Sequence, residues 1–147
     1  MKKGGDKKNM IYKFNDEKIQ INNPQAVAKV CQDLLNAEDE INQDKEHFWA
    51  IHVDTRHVIK LVELVSLGTL NASLVSPREV FTRAVGERSC SIIVAHNHPS
   101  GQKDPSAEDL KVTKQLVQAG EILDIKVIDH LIITKTDFLS FKENGLM

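Results

Sequence analysis

The sequence predicts a single α/β domain in which helices pack against one mixed β-sheet. Apolar residues recur at helical spacing in some stretches and form short continuous runs of strand length in others, and the two kinds alternate along the chain. A length of 147 residues, 41% of them hydrophobic, is enough for one ordinary core. No long linker rich in Pro, Gly or Ser divides the chain, so one domain accommodates all of these elements.

The first half of the chain predicts a helix followed by a β-hairpin. Asn23 suits the N-cap of the helix and Pro24 its first position. Residues 37–45 are polar and acidic and predict a connection. The apolar segments 48–53 and 58–65 flank a polar turn, which is typical of a hairpin. The expected buried face of the helix consists of Val27, Val30, Cys31, Leu34 and Leu35.

The second half predicts further strands around another helix. Residues 69–75 suit a strand or an extended crossing. Ser76 and Glu79 have the spacing of a capping box and predict a helix start. The short apolar run 91–95 is typical of a strand buried on both faces, and residues 125–134 predict the last strong strand. The residues expected to be buried in this helix are Val80, Phe81, Ala84 and Val85.

The last predicted helix runs from Ser106 to Ala119, after a loop rich in Pro, Ser and Gly. Gly120 follows the apolar periodicity directly and predicts the C-terminal stop of the helix. The inner face is expected to contain Leu110, Thr113, Leu116 and Val117.

Composition and charge restrict the class of protein. The net charge of −2, with lysines scattered among acidic residues, leaves a nucleic-acid partner open but does not favour it. No run of about 18 apolar residues predicts a membrane span. Cys31 and Cys90 lack metal or redox spacing, which favours a reducing, cytoplasmic location. Residues 1–22 are expected to form a flexible N-terminal tail and lead-in, and residues 23–147 the domain.

The segment that carries chemistry follows the buried strand 91–95. His96 and His98 stand at i and i+2, so on an extended segment their side chains point the same way. Asp109 lies in the first turn of the next helix, and the intervening loop can bring it to the same point. Two imidazoles and one carboxylate leave Zn²⁺ an open fourth position, which is the arrangement of a catalytic site.

Structural roles for the same residues are open alternatives. A histidine at a strand end is usually an ordinary hydrogen-bonded residue, and Asp109 in a first turn favours the helix dipole in any protein. Ser106 is a suitable N-cap. These roles are compatible with a metal site, because a capping serine and a first-turn acid are already held rigid.

The chain resembles the RadC family of the MPN/JAB metalloprotease superfamily. The JAMM signature of that superfamily, His-x-His, seven residues, Ser, two residues, Asp, is matched at full spacing, and the likeness covers roughly residues 24 to 147. Further matching strings begin at Gly68 (GTLNA), Pro77 (PREV), Ala95 (AHNHPSG), Asp129 (DHLI) and Ser140 (SF). RadC proteins generally also carry an N-terminal helix-hairpin-helix region, for which this chain has no room, so we expect the short form.

The resemblance implies a fold, an ion and a set of residue roles. The fold is a three-layer MPN/JAB sandwich, cytidine-deaminase-like, with a mixed and mostly antiparallel sheet flanked by helices. The ion is Zn²⁺, held by His96, His98 and Asp109. Glu46 matches the family's Glu-x-Phe entry to an early strand and would accept a proton from the attacking water, while the Ser106 hydroxyl would stabilise the oxyanion.

Several neighbouring residues compete for these roles. Glu63 and Glu79 are the rivals of Glu46, although Glu63 lies within an apolar stretch and Glu79 has a capping role. His130 is expected to be a strand residue with a local partner rather than a further ligand. Ser76 stands where the family tends to have His, and a serine caps a helix better.

The function implied by the resemblance is hydrolysis of peptide or isopeptide bonds in a peptide or protein substrate, by a monomer or homodimer. A DNA-associated accessory protein is one alternative, because the RadC name is linked to DNA repair, but the acidic balance weighs against it. A non-catalytic MPN binding module is the other, and retention of the complete ligand pattern weighs against that.

Overall fold

The computed structural model describes residues 2–4, 10–14, 18–68 and 75–147, with side chains described from residue 10 onward. The strands are β1 (Lys2–Gly4), β2 (Met10–Lys13), β3 (His47–Val53), β4 (Ile59–Leu67), β5 (Ser91–Asn97), β6 (Lys126–Ile133) and β7 (Phe138–Ser140). The helices are α1 (Pro24–Asn36), α2 (Glu40–Gln43), α3 (Pro77–Gly86) and α4 (Ala107–Leu123).

The strands form one seven-stranded sheet in the order β1-β2-β4-β3-β5-β6-β7. Among the described strands, β5 and β6 pair in parallel and the other neighbours are antiparallel. The parallel pair needs a crossover, and α4 supplies it. The mixed, mostly antiparallel sheet expected from the family resemblance is therefore confirmed.

Helices cover both faces of this sheet, which makes the fold a three-layer sandwich, as expected. Adjacent residues of β3 enter different cores: Trp49 packs in the core that contains α1, and Phe48 packs in the core that contains α3 and α4. Alternating side chains of a strand point to opposite faces, so a strand between two helical layers is buried on both of them. Every residue of β3 and of β5 is buried, in agreement with the predicted hairpin and the buried strand at 91–95.

The two predicted helix starts are confirmed. Asn23 Oδ1 accepts a hydrogen bond from the backbone N–H of Ala26 at 2.9 Å, and Pro24 is the first residue of α1. Ser76 caps α3, where its hydroxyl accepts from the Glu79 N–H at 3.5 Å. These caps were predictable because each is satisfied within four residues of chain.

Two residues predicted to be buried are exposed, which corrects the predicted helix faces. Val85 is 52% exposed and Leu110 is 41% exposed, whereas Val112, which was not predicted, is buried. At 3.6 residues per turn, Val85 and Leu110 each lie about 90–105° round the helix from the centre of the buried stripe. The spacing of apolar residues predicted that each helix has a buried face, but the packing against the sheet decides which residues lie at the centre of that face.

The predicted end of the last helix was wrong. α4 continues past Gly120 to Leu123, and Asp124 takes the left-handed conformation that ends it, with φ of 58°. Gly120 is instead a packing residue, because a Cβ there would lie 2.4 Å from the carbonyl oxygen of Ile125.

Residues before the predicted domain also contribute to the sheet, which the sequence did not predict. β2 pairs with β4 in antiparallel register, and Tyr12 is almost completely buried. Met10–Lys13 is therefore part of the fold rather than a flexible lead-in, because its pairing and burial fix it. The division of the chain at residue 23 stays a prediction, and the strand expected at 69–75 lies almost entirely outside the described residues.

The rest of the fold differs from the sequence prediction in detail. The connection at 37–45 contains the one-turn helix α2, and a short strand, β7, follows the predicted last strand β6. Within the described part of the chain, no helix is both long and apolar enough to cross a membrane. The cytoplasmic location stays a prediction.

Candidate metal centre

The candidate site lies at the C-terminal end of β5, in the interior of the sheet. His96 belongs to β5 and pairs with Phe48 of β3 and with Ile132 of β6, so its backbone is fixed from both sides. His98 follows the strand directly, and its N–H donates to the carbonyl of Ile133 at 2.9 Å. A strand held on both edges keeps its last side chains in place without help from the loop beyond it.

The structure brings His96, His98 and Asp109 together as the sequence predicted. The two Nε2 atoms are 3.0 Å apart, Asp109 Oδ1 is 3.3 Å from Nε2 of His96, and Asp109 Oδ2 is 3.3 Å from Nε2 of His98. For zinc–ligand bonds of 2.0–2.1 Å in tetrahedral geometry, neighbouring ligand atoms stand about 3.3 Å apart. Each Nε2 therefore lies at about the ligand–ligand spacing of a tetrahedral ion from the other Nε2 and from one of the two Asp109 oxygens. One donor atom from each of the three residues lies within 4.8 Å of the other two.

Asp109 is oriented by the start of α4. Its N–H donates to Ser106 Oγ at 3.0 Å, and its Oδ2 accepts from the Ser106 N–H at 2.9 Å, which forms a reciprocal capping box. The box leaves Oδ1 directed at His96. Ser106 thus has the predicted capping role, and the cap itself places the carboxylate.

Charge at the site favours an ionised carboxylate. Burial raises the pKa of Asp109, but hydrogen bonds from His96 and His98 outweigh it and hold that pKa well below its usual range. The hydrogen bond to Asp109 raises the pKa of His98, although the partial burial of His98 lowers it. The carboxylate favours protons on its histidine partners, and a metal ion would compete with those protons for the same electron pairs.

Each histidine has a hydrogen-bond partner on its other ring nitrogen. Nδ1 of His98 lies 2.8 Å from the carbonyl oxygen of Gln102, which can only accept, so this nitrogen carries a proton. Nδ1 of His96 lies 2.8 Å from Nε2 of His130, and Nδ1 of His130 lies 2.6 Å from Thr113 Oγ1. Burial holds the pKa of His130 well below its usual value. His130 is therefore a strand residue with partners close by, His96 and Thr113, and it lies outside the His-His-Asp cluster.

Glu46 lies at the rim of the site but contacts none of the three donor atoms at hydrogen-bond distance. Its negative charge contributes, after Asp109, to the raised pKa of His98. Asn97 holds the chain on both sides of it: Asn97 Oδ1 accepts from the His47 N–H at 2.5 Å, and Nδ2 donates to the Lys45 carbonyl at 3.0 Å. The residue between the two histidines thus fixes the peptide that carries Glu46.

The rival Glu63 belongs to a different buried cluster. Its carboxylate lies 3.6 Å from Arg83 Nε and 4.0 Å from His52 Nε2. Burial raises the pKa of Glu63, and the charge of Arg83 lowers it in part. Glu79 lies in the first turn of α3. Neither rival is part of the His-His-Asp cluster, although the role of Glu46 stays a prediction.

A groove of about 220 Å³ lies beside His98, which is the one member of the His-His-Asp cluster in its lining. It is bounded by Leu35 of α1, Gln43 of α2 and the loop that contains Lys135.

The fold and the site define a JAB-type α/β domain with a His-His-Asp centre, and comparison with known proteins identifies the family. Residues 21–146 match the family model described as RadC-like JAB domain. The chain belongs to this family.

Proteins similar to this chain include three called "UPF0758 protein". The one from Chlorobium chlorochromatii is 45% identical over 106 residues, 72% of this chain and 48% of the relative. Another from Desulforudis audaxviator is 48% identical over 103 residues, which are 70% of this chain and 45% of the relative. A third, from Roseiflexus castenholzii, is 41% identical over 137 residues, which are 93% of this chain and 57% of the relative. The chain spans about half the length of these relatives, and their names state no activity.

Sequence reasoning missed Thr113 as part of the site, and it left Asn97 and the hydrogen bond between His130 and His96 unassigned. Thr113 stands four residues after Asp109 and so lies on the same face of α4. That spacing is visible in the sequence, but the approach of His130 depends on the parallel pairing of β5 with β6. Only the order of the strands in the sheet brings Thr113, His130 and His96 together.

Proposed function

We propose that this chain is a zinc-dependent hydrolase of peptide or isopeptide bonds. The observation that carries the proposal is the cluster of His96, His98 and Asp109, in which the two Nε2 atoms are 3.0 Å apart and each lies 3.3 Å from a different oxygen of Asp109. Two neutral imidazoles and one carboxylate are the donor set of catalytic zinc sites, which keep a fourth position open. Membership of the RadC-like JAB domain family supports the same assignment.

The fit of the residues to zinc rests on their chemistry as well as their spacing. His98 is 19% exposed at its side chain and Asp109 13%, so the donor atoms can be reached from solvent, whereas His96 is buried. Bound zinc would supply a Lewis acid that lowers the pKa of a water molecule and polarises a substrate carbonyl. The site offers no thiolate, which distinguishes it from closed structural zinc sites.

Glu46 is the proposed proton carrier. Its carboxylate would accept a proton from the attacking water and return it to the leaving amine, a role that contributes about 10²–10⁴-fold in comparable enzymes. Such a role needs a carboxylate held at a fixed distance from the reacting atoms. The two hydrogen bonds from Asn97 to the backbone around Glu46 support this assignment.

Ser106 is the proposed donor to the oxyanion. Its hydroxyl oxygen accepts from the Asp109 N–H, which leaves the hydroxyl proton to donate towards a substrate. Ser106 is exposed and directly precedes α4, so a carbonyl oxygen can approach it. One such donor contributes about 2.7–4 kcal/mol to transition-state stabilisation.

The proposed substrate is an extended peptide or protein segment that lies in the groove beside His98. The proposed compartment is the cytoplasm, which is supported by two free cysteines, Cys31 in the core and Cys90 on the surface. The substrate assignment rests on the hydrolase proposal, whereas the compartment rests on the cysteines.

Metal content tests the site first. We expect about one zinc per chain in protein purified without a histidine tag, and loss of zinc in the double variant His96→Ala/His98→Ala and in Asp109→Ala. His57→Asn is the control, because His57 is exposed outside the site and asparagine tolerates its φ of 61°. Failure of the wild type to bind zinc after zinc is added at neutral pH would contradict the proposal and favour a non-catalytic binding module.

Turnover tests the catalytic assignment separately. Glu46→Gln keeps the size of the side chain and removes its base, so we expect full zinc content and at least a hundredfold slower cleavage of a peptide or isopeptide library member. Equal rates in the wild type and Glu46→Gln would remove Glu46 from the mechanism. Cleavage that persists in Asp109→Ala would remove the metal centre from it.

A further inference from the structure

Three hydrogen bonds connect His96 of β5 to α4 through β6. His96 Nδ1 lies 2.8 Å from His130 Nε2, His130 Nδ1 lies 2.6 Å from Thr113 Oγ1, and Thr113 Oγ1 lies 2.7 Å from the carbonyl oxygen of Asp109. His96, His130 and Thr113 are each at most 1% exposed. The series ends on the backbone of Asp109, whose side chain faces His96.

The direction of each bond follows from counting protons. A carbonyl oxygen can only accept, so the single proton of the Thr113 hydroxyl goes to Asp109. Thr113 Oγ1 must then accept in its bond with His130. Nδ1 of His130 therefore carries a proton.

The same count continues through the ring of His130. Its two side-chain partners are a hydroxyl and an imidazole, and a completely buried ring with such partners is neutral, because a buried unpaired charge is costly. With its proton on Nδ1, His130 offers a lone pair on Nε2. His96 must donate to that lone pair from Nδ1, so its Nε2 is the nitrogen left facing His98 and Asp109. This nitrogen donates to the Asp109 carboxylate while it carries a proton, and it offers a lone pair to a metal ion once that proton is lost.

We propose that Thr113 and His130 are positioning residues that hold His96 in the Nδ1–H tautomer and so present its Nε2 as a metal ligand. His98 obtains the same tautomer from one backbone carbonyl, that of Gln102. His96 lies inside the sheet, and its tautomer is set instead by two side chains, His130 of β6 and Thr113 of α4. The metal-ligand part of this inference rests on the proposed function, whereas the tautomer part does not.

Loss of the Thr113 hydroxyl has a specific consequence. His130 Nδ1–H would face an apolar group, so the ring gains by moving its proton to Nε2. Nε2–H would then donate to Nδ1 of His96, and neutral His96 would carry its proton on Nε2, where it blocks the metal. Loss of an outer partner of this kind typically lowers metal affinity about 10- to 100-fold.

The first test is the ¹⁵N spectrum of the histidine rings in metal-free protein at pH 8. We expect wild-type His96 with its proton on Nδ1, and Thr113→Val with a large population protonated on Nε2. Thr113→Ser restores the hydroxyl and should restore the wild-type spectrum. Thr82→Val is the matched control, because Thr82 makes the same bond to the carbonyl four residues before it, that of Arg78, and contacts no histidine in this network.

The second test is zinc affinity, measured by competition with a fluorescent chelator. We expect Thr113→Val to bind zinc about 10- to 100-fold more weakly, with Thr113→Ser and Thr82→Val close to wild type. Backbone ¹H–¹⁵N spectra of all variants establish that they are folded. A folded Thr113→Val with wild-type affinity would overturn the ligand-positioning part of the inference.

The two tests separate this inference from the proposed function. Wild-type His96 with no proton on Nδ1 in the metal-free protein would overturn the inference even if zinc binds. A wild type that binds no zinc would contradict the proposed function, and the ring spectra would still decide the tautomer. Unchanged ring spectra in Thr113→Val would overturn the role of the hydroxyl.

Discussion

Gly120 is the point of closest packing between α4 and the segment that leads into β6. A Cβ at this position would lie 2.4 Å from the carbonyl oxygen of Ile125, 3.3 Å from Val127 Cγ2 and 3.5 Å from Phe81 Cζ. The nearest of these atoms belongs to the backbone and cannot rotate away. The Ile125 N–H also donates to the Gly120 carbonyl at 2.9 Å, which holds the two segments together. Gly120→Ala must therefore push the end of α4 away from the sheet.

Two opposing effects set the magnitude. Overpacking of a close contact costs about 1–3 kcal/mol. Replacement of a helical glycine by alanine recovers roughly 0.5–1 kcal/mol of conformational entropy and helix propensity. A Cβ–O distance of 2.4 Å is far inside van der Waals contact, so the cost dominates. We expect Gly120→Ala to lower the free energy of unfolding by about 1–2 kcal/mol.

The same substitution in α3 provides a control of opposite sign. Gly86 is the last residue of α3, and no described atom lies within 4 Å of a Cβ built there. Gly86→Ala should therefore stabilise the protein by about 0.4–1 kcal/mol. Urea unfolding of both variants can be followed through the fluorescence of Trp49, the single tryptophan, which is buried. A Gly120→Ala variant as stable as Gly86→Ala would refute the packing of α4, and with it the placement of Asp109.

Two further predictions concern Asn97 and His52. In Asn97→Ala, the His47 amide should exchange with deuterium about fivefold faster, since one hydrogen bond is worth roughly 1 kcal/mol. Zinc content should stay at the wild-type level, and unchanged exchange would remove Asn97 as the support of Glu46. Burial lowers the pKa of His52 to about 4, so its contribution to stability is complete above about pH 6.5 and is lost as the pH falls towards 4. Between pH 6.5 and 4, the free energy of unfolding measured in urea should fall by at most about 3 kcal/mol in the wild type and by less in His52→Gln. An equal dependence of this free energy on pH in the two proteins would contradict the burial of a neutral His52 ring.

The sequence by itself determined the features that are satisfied over a few residues of chain. Asn23 and Ser76 were recognisable as caps because their oxygens bind N–H groups three residues away. The run 91–95 was recognisable as a fully buried strand because both of its faces must be apolar. His96 and His98 were predicted to point to one place for the same local reason, the period of two along an extended chain.

Tertiary structure decided what depends on distant neighbours. Gly120 resembles a helix stop in the sequence, but the position of Ile125 makes it a packing residue inside α4. Leu110 and Val112 fit the apolar period almost equally well, and only contact with the sheet selects Val112 as the buried one. Tyr12 gains its place from pairing with β4, fifty residues further along the chain, which no local pattern encodes.

The candidate metal centre shows the same division between local pattern and tertiary structure. Its three donor residues follow from spacing and from the family pattern, because the histidines share a strand end and Asp109 a helix start. The partner of His96 depends on β6 lying parallel to β5, and the support of Glu46 depends on Asn97 reaching across to the chain before β3. A sequence lists the groups that can bind a metal, whereas hydrogen bonds between separate elements decide which nitrogen of each ring carries the lone pair.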